Sequence, residues 1–330
     1  MNYHYPITKT RPSIIQFDKN QIITDELCDT IYISSQLQTD ELYYSFDQVI
    51  VAKAIKMAFS GICDVIELEN THDIWARDYM PVQITTDRFW NYIFNPNYLQ
   101  SKTNRPHITN FVDVRLDIRN PFYETTQKSN IIADGGNIVK CDGYVIMTDK
   151  VFIEAKNIAQ DLSWVDLRRE LGVDVVVIPR EPTDRLGHAC KMVRYAGPNR
   201  VLFRAPRDEN DKQFLSGVIQ QFKRQKPDVE VLQLDFSTVK KTNENNWCYI
   251  DFLRIRNQIL VPLLSEENIN TFELEVVEED DIALEQLHKI FPQCTILGVS
   301  MRNLIEKGIG GLNSLAWTIK SFPTENVTPR

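Results

Sequence analysis

The sequence predicts an α/β protein of about five ββαβ units closed into a ring around a pseudo-fivefold axis, a β/α-propeller forming one domain over residues 1–330. Three observations predict it. A pattern of two strands, a helix and one strand recurs from about residue 134 onward. The last strand-like stretch, Leu312 to Ile319, has no partner downstream. The N-terminal part offers a strand, a helix and a strand, which lack only a first strand. Joining the two ends completes a unit, and repeats that bury their apolar faces against their neighbours make such closure favourable.

The N-terminal elements are strand Thr30-Ile-Tyr-Ile33, a helix from Phe46 to Phe59 and strand Val65-Ile-Glu-Leu68. The stretch 79–133 is the least regular unit, with a polar insert around 96–130 that contains Pro and Asn. The next unit runs from Asn137-Ile-Val through a turn at Cys141-Asp-Gly143 to Tyr144-Val-Ile-Met147. Ile158, Leu162, Val165 and Leu171 then sit near helical spacing, with Gly172 as a stop signal. Val175-Val-Val-Ile178 is an unbroken β-branched run, as in a buried strand. Lys191-Met-Val-Arg194, a turn at Gly197-Pro-Asn199 and Val201-Leu-Phe203 read as a hairpin. A helix carrying Phe214, Leu215, Val218, Ile219 and Phe222 and a strand Val229 to Leu234 follow. The following unit has strand Tyr249 to Leu253, strand Ile259-Leu-Val261, a helix with Ile282, Leu284, Leu287 and Ile290, and strand Thr295-Ile-Leu297. The acidic run Glu278 to Asp281 reads as a solvated helix N-terminus, where negative charge is favoured.

Composition narrows the function. The chain is 43% hydrophobic and 25% charged, with a formal net charge of −8. This argues against a nucleic-acid partner, which leaves a basic footprint, while a negative field attracts a small cation. No apolar run approaches the ~20 residues needed to span a bilayer, and the N-terminus lacks a signal-peptide pattern, so no membrane partner and a cytoplasmic location are expected. Six cysteines without a CxxC pair read as reduced thiols, with no metal site. Oligomerisation is left open.

Four segments bear the chemistry: Trp75-Ala-Arg-Asp78, Asp134-Gly-Gly-Asn137, Gly187-His-Ala-Cys190 and Gly311-Leu-Asn-Ser314. Asp78, Asp134, His188 and Ser314 each fall at or just before the first strand of a unit. Equivalent positions in a closed ring converge on its axis, so residues far apart in sequence meet in one pocket. Each segment alone has a plainer reading: a core Trp with a local Arg–Asp pair, a turn acid at Asp134, a structural His.

As an ordered set, these segments resemble the guanidine-modifying deiminases of the pentein superfamily, most closely the agmatine deiminase and bacterial peptidyl-arginine deiminase branch. The string Trp75-Ala-Arg-Asp-Tyr-Met-Pro-Val82 matches that branch's W-x-R-D-x-x-P motif, and Gly187-His188 its G-H-x-D frame. The resemblance implies the pentein propeller. It also implies hydrolysis of an amidine C–N bond in agmatine (a step towards putrescine), arginine or peptidyl-arginine. It brings no cofactor, and the partner is a small guanidino cation or an arginine side chain. Asp78 is then the first guanidinium-binding acid, and Trp75 and Asn313 also line the substrate site. Asp134 and His188 are catalytic. Position 314 is the nucleophile and position 190 the second guanidinium-binding acid.

Asp134 is one methylene shorter than the Glu usual in that branch, and two further residues depart from its pattern outright. The branch has Cys where this chain has Ser314, and Asp where it has Cys190. A free thiol has a pKa of ~8.5 and supplies some thiolate at neutral pH, whereas a serine hydroxyl does not. A neutral thiol at 190 cannot balance a guanidinium. The expectation is a deiminase-like hydrolase that is inactive or much weakened. The alternative is a non-catalytic relative that binds a ligand or a protein partner. A third reading makes Cys190 a nucleophile, which requires a cationic neighbour such as His188.

Overall fold

Among the described residues the chain forms five three-stranded sheets, each an antiparallel pair extended by a parallel third strand. The computed structural model describes residues 21–38, 46–101, 105–109, 114, 128–158, 160–268, 273–307 and 310–321. Strand β1 (Thr30–Ser34), helix α1 (Phe46–Ala58) and strand β2 (Asp64–Leu68) come first. The short helix α2 (Ala76–Tyr79) leads into β3 (Val82–Thr85), β4 (Arg88–Ile93) and β5 (Lys128–Ile132). The third unit holds β6 (Val139–Lys140), β7 (Tyr144–Thr148), α3 (Lys150–Asn157), α4 (Trp164–Leu171) and β8 (Asp174–Ile178). The fourth holds β9 (Val193–Gly197), β10 (Arg200–Phe203), α5 (Glu209–Gln225) and β11 (Glu230–Gln233). The fifth holds β12 (Leu253–Ile255), β13 (Gln258–Leu263), a small hairpin of β14 (Glu266–Asn268) and β15 (Glu273–Glu275), α6 (Glu278–Ile290) and β16 (Thr295–Ser300). Helices α7 (Arg302–Glu306) and α8 (Leu312–Leu315) then lead to β17 (Ala316–Ile319).

The ends close the ring as expected. β17 runs antiparallel to β1, with Thr30 opposite Ile319, and β2 runs parallel to β1. The Tyr32 and Trp317 rings lie 5.0 Å apart across this seam, and Trp317 Nε1–H donates to the Pro81 carbonyl at 2.6 Å. The apolar clusters bridge neighbouring units. One joins α1 and the β1 strand to α6, β13 and α8; another joins β7 and β8 to β9, β10 and α5. This is the energetic signature of a repeat fold, in which no unit covers its own core. The architecture is a pentein-type α/β propeller of five ββαβ-like units.

Several local expectations are corrected. The segment expected as one helix through Ile158 and Leu171 is two helices. Ile158 and Val165 are exposed at 51% and 65%. Ser163 starts α4 with a capping box to Asp166, and Gly172, at φ 65°, ends it. A strong internal N-cap therefore divided the apolar periodicity. Lys191 and Met192 lie outside the strand expected there, which begins at Val193. Residues 249–250 belong to a 3-10 turn, Asn246–Ile250, and the strand starts at Leu253. Leu312 to Leu315 is helical rather than strand. In all three places the segment just before a unit's first strand bends into a tight turn, and the short apolar runs gave no sign of it. The acidic run at α6 is only half solvated. Asp280 is buried and accepts from Tyr249 Oη–H at 2.8 Å, Leu264 N–H at 2.9 Å and Ser265 N–H at 2.7 Å. Much of the 96–130 insert lies outside the described residues. No described helix is long and apolar enough to cross a membrane.

Candidate functional site

The segments that precede the first strand of each unit touch one another in a closed inner circle. Helix α2 packs against the turn Gly135–Asn137, that turn against the turn Ala189–Lys191, and that one against Asn246–Ile250. Helix α8 packs on β12 and on α2 and closes the circle. Asp78, Asp134, His188 and Ser314 sit on four of these five segments. The fifth contributes Asp251, at the end of the turn before β12.

Asp78 is placed by its own helix and by a neighbour. Its Oδ1 accepts the Gly136 N–H at 2.9 Å. The Tyr92 hydroxyl pins the same turn, 2.7 Å from the Asp78 carbonyl oxygen. Arg77 turns the other way. It donates to the Asn313 carbonyl at 2.7 Å and lies 3.7 Å from Asp25. The local Arg–Asp pair that the string alone allows is thus not formed; Arg77 is a strut between α2 and α8. Burial pushes the Asp78 carboxyl up to about 7, against the pull of the Gly136 N–H and Lys150.

Asp134, fully buried, follows β5. Its Oδ2 lies 3.2 Å from His188 Nε2 and also takes an ion pair from Lys150. His188 Nδ1 is 3.8 Å from Asp78 Oδ1, so the imidazole spans the two acids. Burial, reinforced by Lys150 and Lys191, holds His188 well below its usual pKa, so the ring is neutral at pH 7. Asp184 shapes the loop before it, accepting Gly187 N–H at 2.8 Å. The Tyr98 ring, edge-on to His188 with centroids 6.1 Å apart, makes a wall. Gly136 lies so close to this pair that a Cβ there would sit 2.5 Å from His188 Nδ1 and 2.6 Å from Asp78 Oδ1. Gly136→Ala is expected to push both side chains aside and abolish ligand binding at the site; unchanged binding by the variant would contradict this geometry.

Ser314 lies on α8, its Oγ–H donating to Asp251 Oδ2 at 3.3 Å. Trp75 stands beside it: a Cβ on Gly310 would meet the Trp75 ring at 2.7 Å and Ser314 Cβ at 2.9 Å. Asn313 donates its backbone N–H to the Asp251 carbonyl at 3.0 Å, and its side-chain Oδ1 is buried without a donor. Cys190 is buried in the turn Ala189–Lys191. Burial, then the fields of Asp251 and Asp78, push its thiol well above the usual range. With His188 neutral and the segment helical rather than extended, the geometry argues against a Cys190 thiolate.

Two residues escaped the sequence. Lys150, at the start of α3, is buried against Asp134, 3.5 Å from Glu154 and 4.8 Å from the centre of the Tyr98 ring. A lysine at a helix start gives no sequence signal of burial. Asp251 had one: it occupies in the fifth unit the place that Asp78, Asp134 and His188 occupy in theirs. Reading Tyr249 to Leu253 as a strand hid that equivalence. Burial raises Asp251 too, against the pull of Arg194 and the Gly311 N–H.

Three acceptors on these segments are left unsatisfied. Asp134 Oδ1, Asp251 Oδ1 and Asn313 Oδ1 are buried with no hydrogen-bond partner, and such acceptors cost free energy until a donor arrives. The neutral imidazole between two acids can move a proton. Among the described residues no group of three or more His, Cys, Asp or Glu side chains is arranged to hold a metal ion.

Solved structures with this fold include the C. jejuni agmatine deiminase, 17% identical with a TM-score of 0.62 over 92% of this chain and 96% of that one. A serine-for-cysteine variant of the same enzyme, solved with substrate bound, is 18% identical with a TM-score of 0.61 over 92% and 96%. The Enterococcus faecalis agmatine deiminase is 16% identical, with a TM-score of 0.62 over 92% and 96%. No curated protein sequence matches. The Porphyromonas-type peptidyl-arginine deiminase family model matches residues 24–318. With nearly the whole chain matched in sequence and the same propeller in space, the protein belongs to the Porphyromonas-type peptidyl-arginine deiminase family.

Proposed function

We propose that this protein keeps a pocket for a guanidino or amidino cation, such as agmatine, arginine or a peptidyl-arginine side chain, and turns it over feebly or not at all. The observation that carries the reading is the set of three buried oxygens without donors, of Asp134, Asp251 and Asn313, on the inner circle of segments that also carries the neutral His188. A guanidinium offers five N–H donors in one plane, and carboxylates accept them in pairs. Asp78 and Asp134 supply acceptors, His188 a proton carrier, and Trp75 an aromatic wall beside position 314. The nucleophile is what fails. Ser314 Oγ–H donates a hydrogen bond to Asp251 and forms no alkoxide at neutral pH, and a guanidinium carbon is a poor electrophile. The family's activity is therefore reduced to its binding step. The serine variant of the C. jejuni enzyme, solved with substrate bound, is a parallel for a serine site that holds its ligand.

Calorimetric titration with agmatine, arginine and arginine peptides, with ammonia measured in the same samples, tests the reading. At least one compound should bind, and ammonia release should stay far below ordinary enzyme rates of ~1–1000 per second. Release at such rates, or no binding by any compound, contradicts it. The pH dependence gives a sharper outcome. With its carboxyl at about 7, Asp78 is protonated below that pH and must lose its proton to pair with the cation. Affinity should rise about tenfold per pH unit from pH 5 towards 7 and then level off, with proton release on binding in the lower range. An affinity flat from pH 5 to 9 excludes Asp78 as a partner of the cation.

A further inference from the structure

The three site acids differ in what neutralises them. Asp134 is held by Lys150. Asp78 and Asp251 have no Lys or Arg hydrogen-bonded to them among the described residues. Arg194, Arg77 and Lys191 bias Asp251, and Lys150 and Arg77 bias Asp78, from a distance, while the hydrogen bonds of Arg194 and Arg77 go to Asp25, Thr318 and the carbonyls of Phe252 and Asn313. Asp251 is fully buried and firmly placed. Its Oδ2 accepts the Gly311 N–H at 2.8 Å and the Ser314 hydroxyl at 3.3 Å, while its Oδ1 has no donor. The Asp251 field falls on Asp78, and the fields of both fall on the thiol of Cys190. Asp78 and Asp251 are thus both buried without a cationic hydrogen-bond partner, the fields of both reach the Cys190 thiol, and Asn313, the neighbour of Ser314, has a buried amide oxygen without a donor.

We propose that Asp251 supplies the second carboxylate that holds the bound cation, with Ser314 matched to it as a neutral donor. The inference rests on the cation-binding reading above. Asp78 and Asp251 then take different N–H edges of one guanidinium, and Asn313 Oδ1 takes a further N–H. Position 190 has no charge to contribute. Serine suits this arrangement because its hydroxyl donates to Asp251. A thiolate in the same place would face the carboxylate at close range, and like charges disfavour each other's ionised form. The hydroxyl at 314 and the acid at 251 are therefore one adaptation.

The test measures agmatine and guanidinium chloride affinity by calorimetry on the full chain, with thermal melts to show that each variant folds. Asp251→Asn should weaken binding on the order of 10–100-fold, the weight of one charge-assisted contact. Asp78→Asn should do the same. Adding Cys190→Asp to Asp251→Asn should recover most of the loss, because it returns a carboxylate to the same pocket. Ser314→Ala, which frees Asp251 Oδ2 for the ligand, should tighten binding roughly 3–10-fold, and it remains informative should Asp251→Asn fold poorly. If Asp78→Asn abolishes binding while Asp251→Asn stays within about threefold of the unmodified protein, this inference is overturned and the cation-binding reading stands. Weaker binding by Ser314→Ala, or a folded double variant that recovers nothing, also overturns it. No binding by the unmodified protein overturns both.

Discussion

Ser314→Cys alone should release ammonia from agmatine or arginine peptides scarcely faster than the unmodified protein. Cys190→Asp alone should do no better. The two together should exceed the product of their separate effects, and the addition of Asp251→Asn should give the largest gain, on the order of 10³-fold or more. A cysteine at 314 is useful only as a thiolate, and the carboxylate that now accepts the Ser314 hydrogen bond would raise that thiol's pKa. Moving the charge from 251 to 190 removes the repulsion and keeps two acids for the cation. Residues acting as one catalytic unit are strongly non-additive, so partial restorations gain little. Ammonia release by the single, double and triple variants on guanidino and amidino compounds decides it. If every variant folds and all stay silent, the hydrolase part of the account fails and a purely binding role remains. If Ser314→Cys alone reaches full activity, Asp251 is not an obstacle to a thiolate.

Lys150→Met should cost about 3–5 kcal/mol of stability, the usual penalty for leaving a buried carboxylate without its partner. Lys150 is 2% exposed and Asp134 is fully buried, so water cannot replace the lost ammonium. With an unfolding entropy of ~2.1 cal/mol/K per residue, such a loss lowers the melting temperature by roughly 4–7 °C. Lys150→Met combined with Asp134→Asn should recover much of it, because the double variant buries no unpaired charge. A single variant within ~1 kcal/mol of the unmodified protein would mean that Asp134 accepts a proton readily, and that the pair does not set the charge state of the acid bonded to His188.

The ring was legible because its signals are long-range and redundant. The β-branched run at Val175 to Ile178, the helix carrying Leu215, Val218 and Phe222, and the orphan strand ending at Ile319 each have one reading, and closure satisfies all of them. The short connections were less legible. Leu312 to Leu315 and Tyr249-Ile250 are apolar and buried whether helical or extended, so composition could not separate the two states. The same ambiguity concealed Asp251. Its neighbours looked like strand, and its partner Ser314 lies 63 residues away in sequence. Lys150 was hidden for a different reason: a charged residue at a helix start is normally solvated, and only the fold brings Asp134, Glu154 and the Tyr98 ring around it. Asp78, Asp134, His188 and Ser314 stood out in the sequence because four segments keep one order and one place within the repeat. The roles proposed for them rest on the geometry of buried acceptors.

The central claim is that this pocket holds an intact cation between two carboxylates and leaves it unmodified. A crystal structure of the unmodified protein soaked with agmatine at pH 8, above the Asp78 carboxyl at about 7, tests it most directly. The account predicts a planar, unreacted guanidinium with nitrogen atoms ~2.7–2.9 Å from Asp78 and Asp251 oxygens, and no bond to Ser314 Oγ. A covalent adduct on Ser314, a ureido product in the pocket, or a guanidinium seated away from both acids would contradict it.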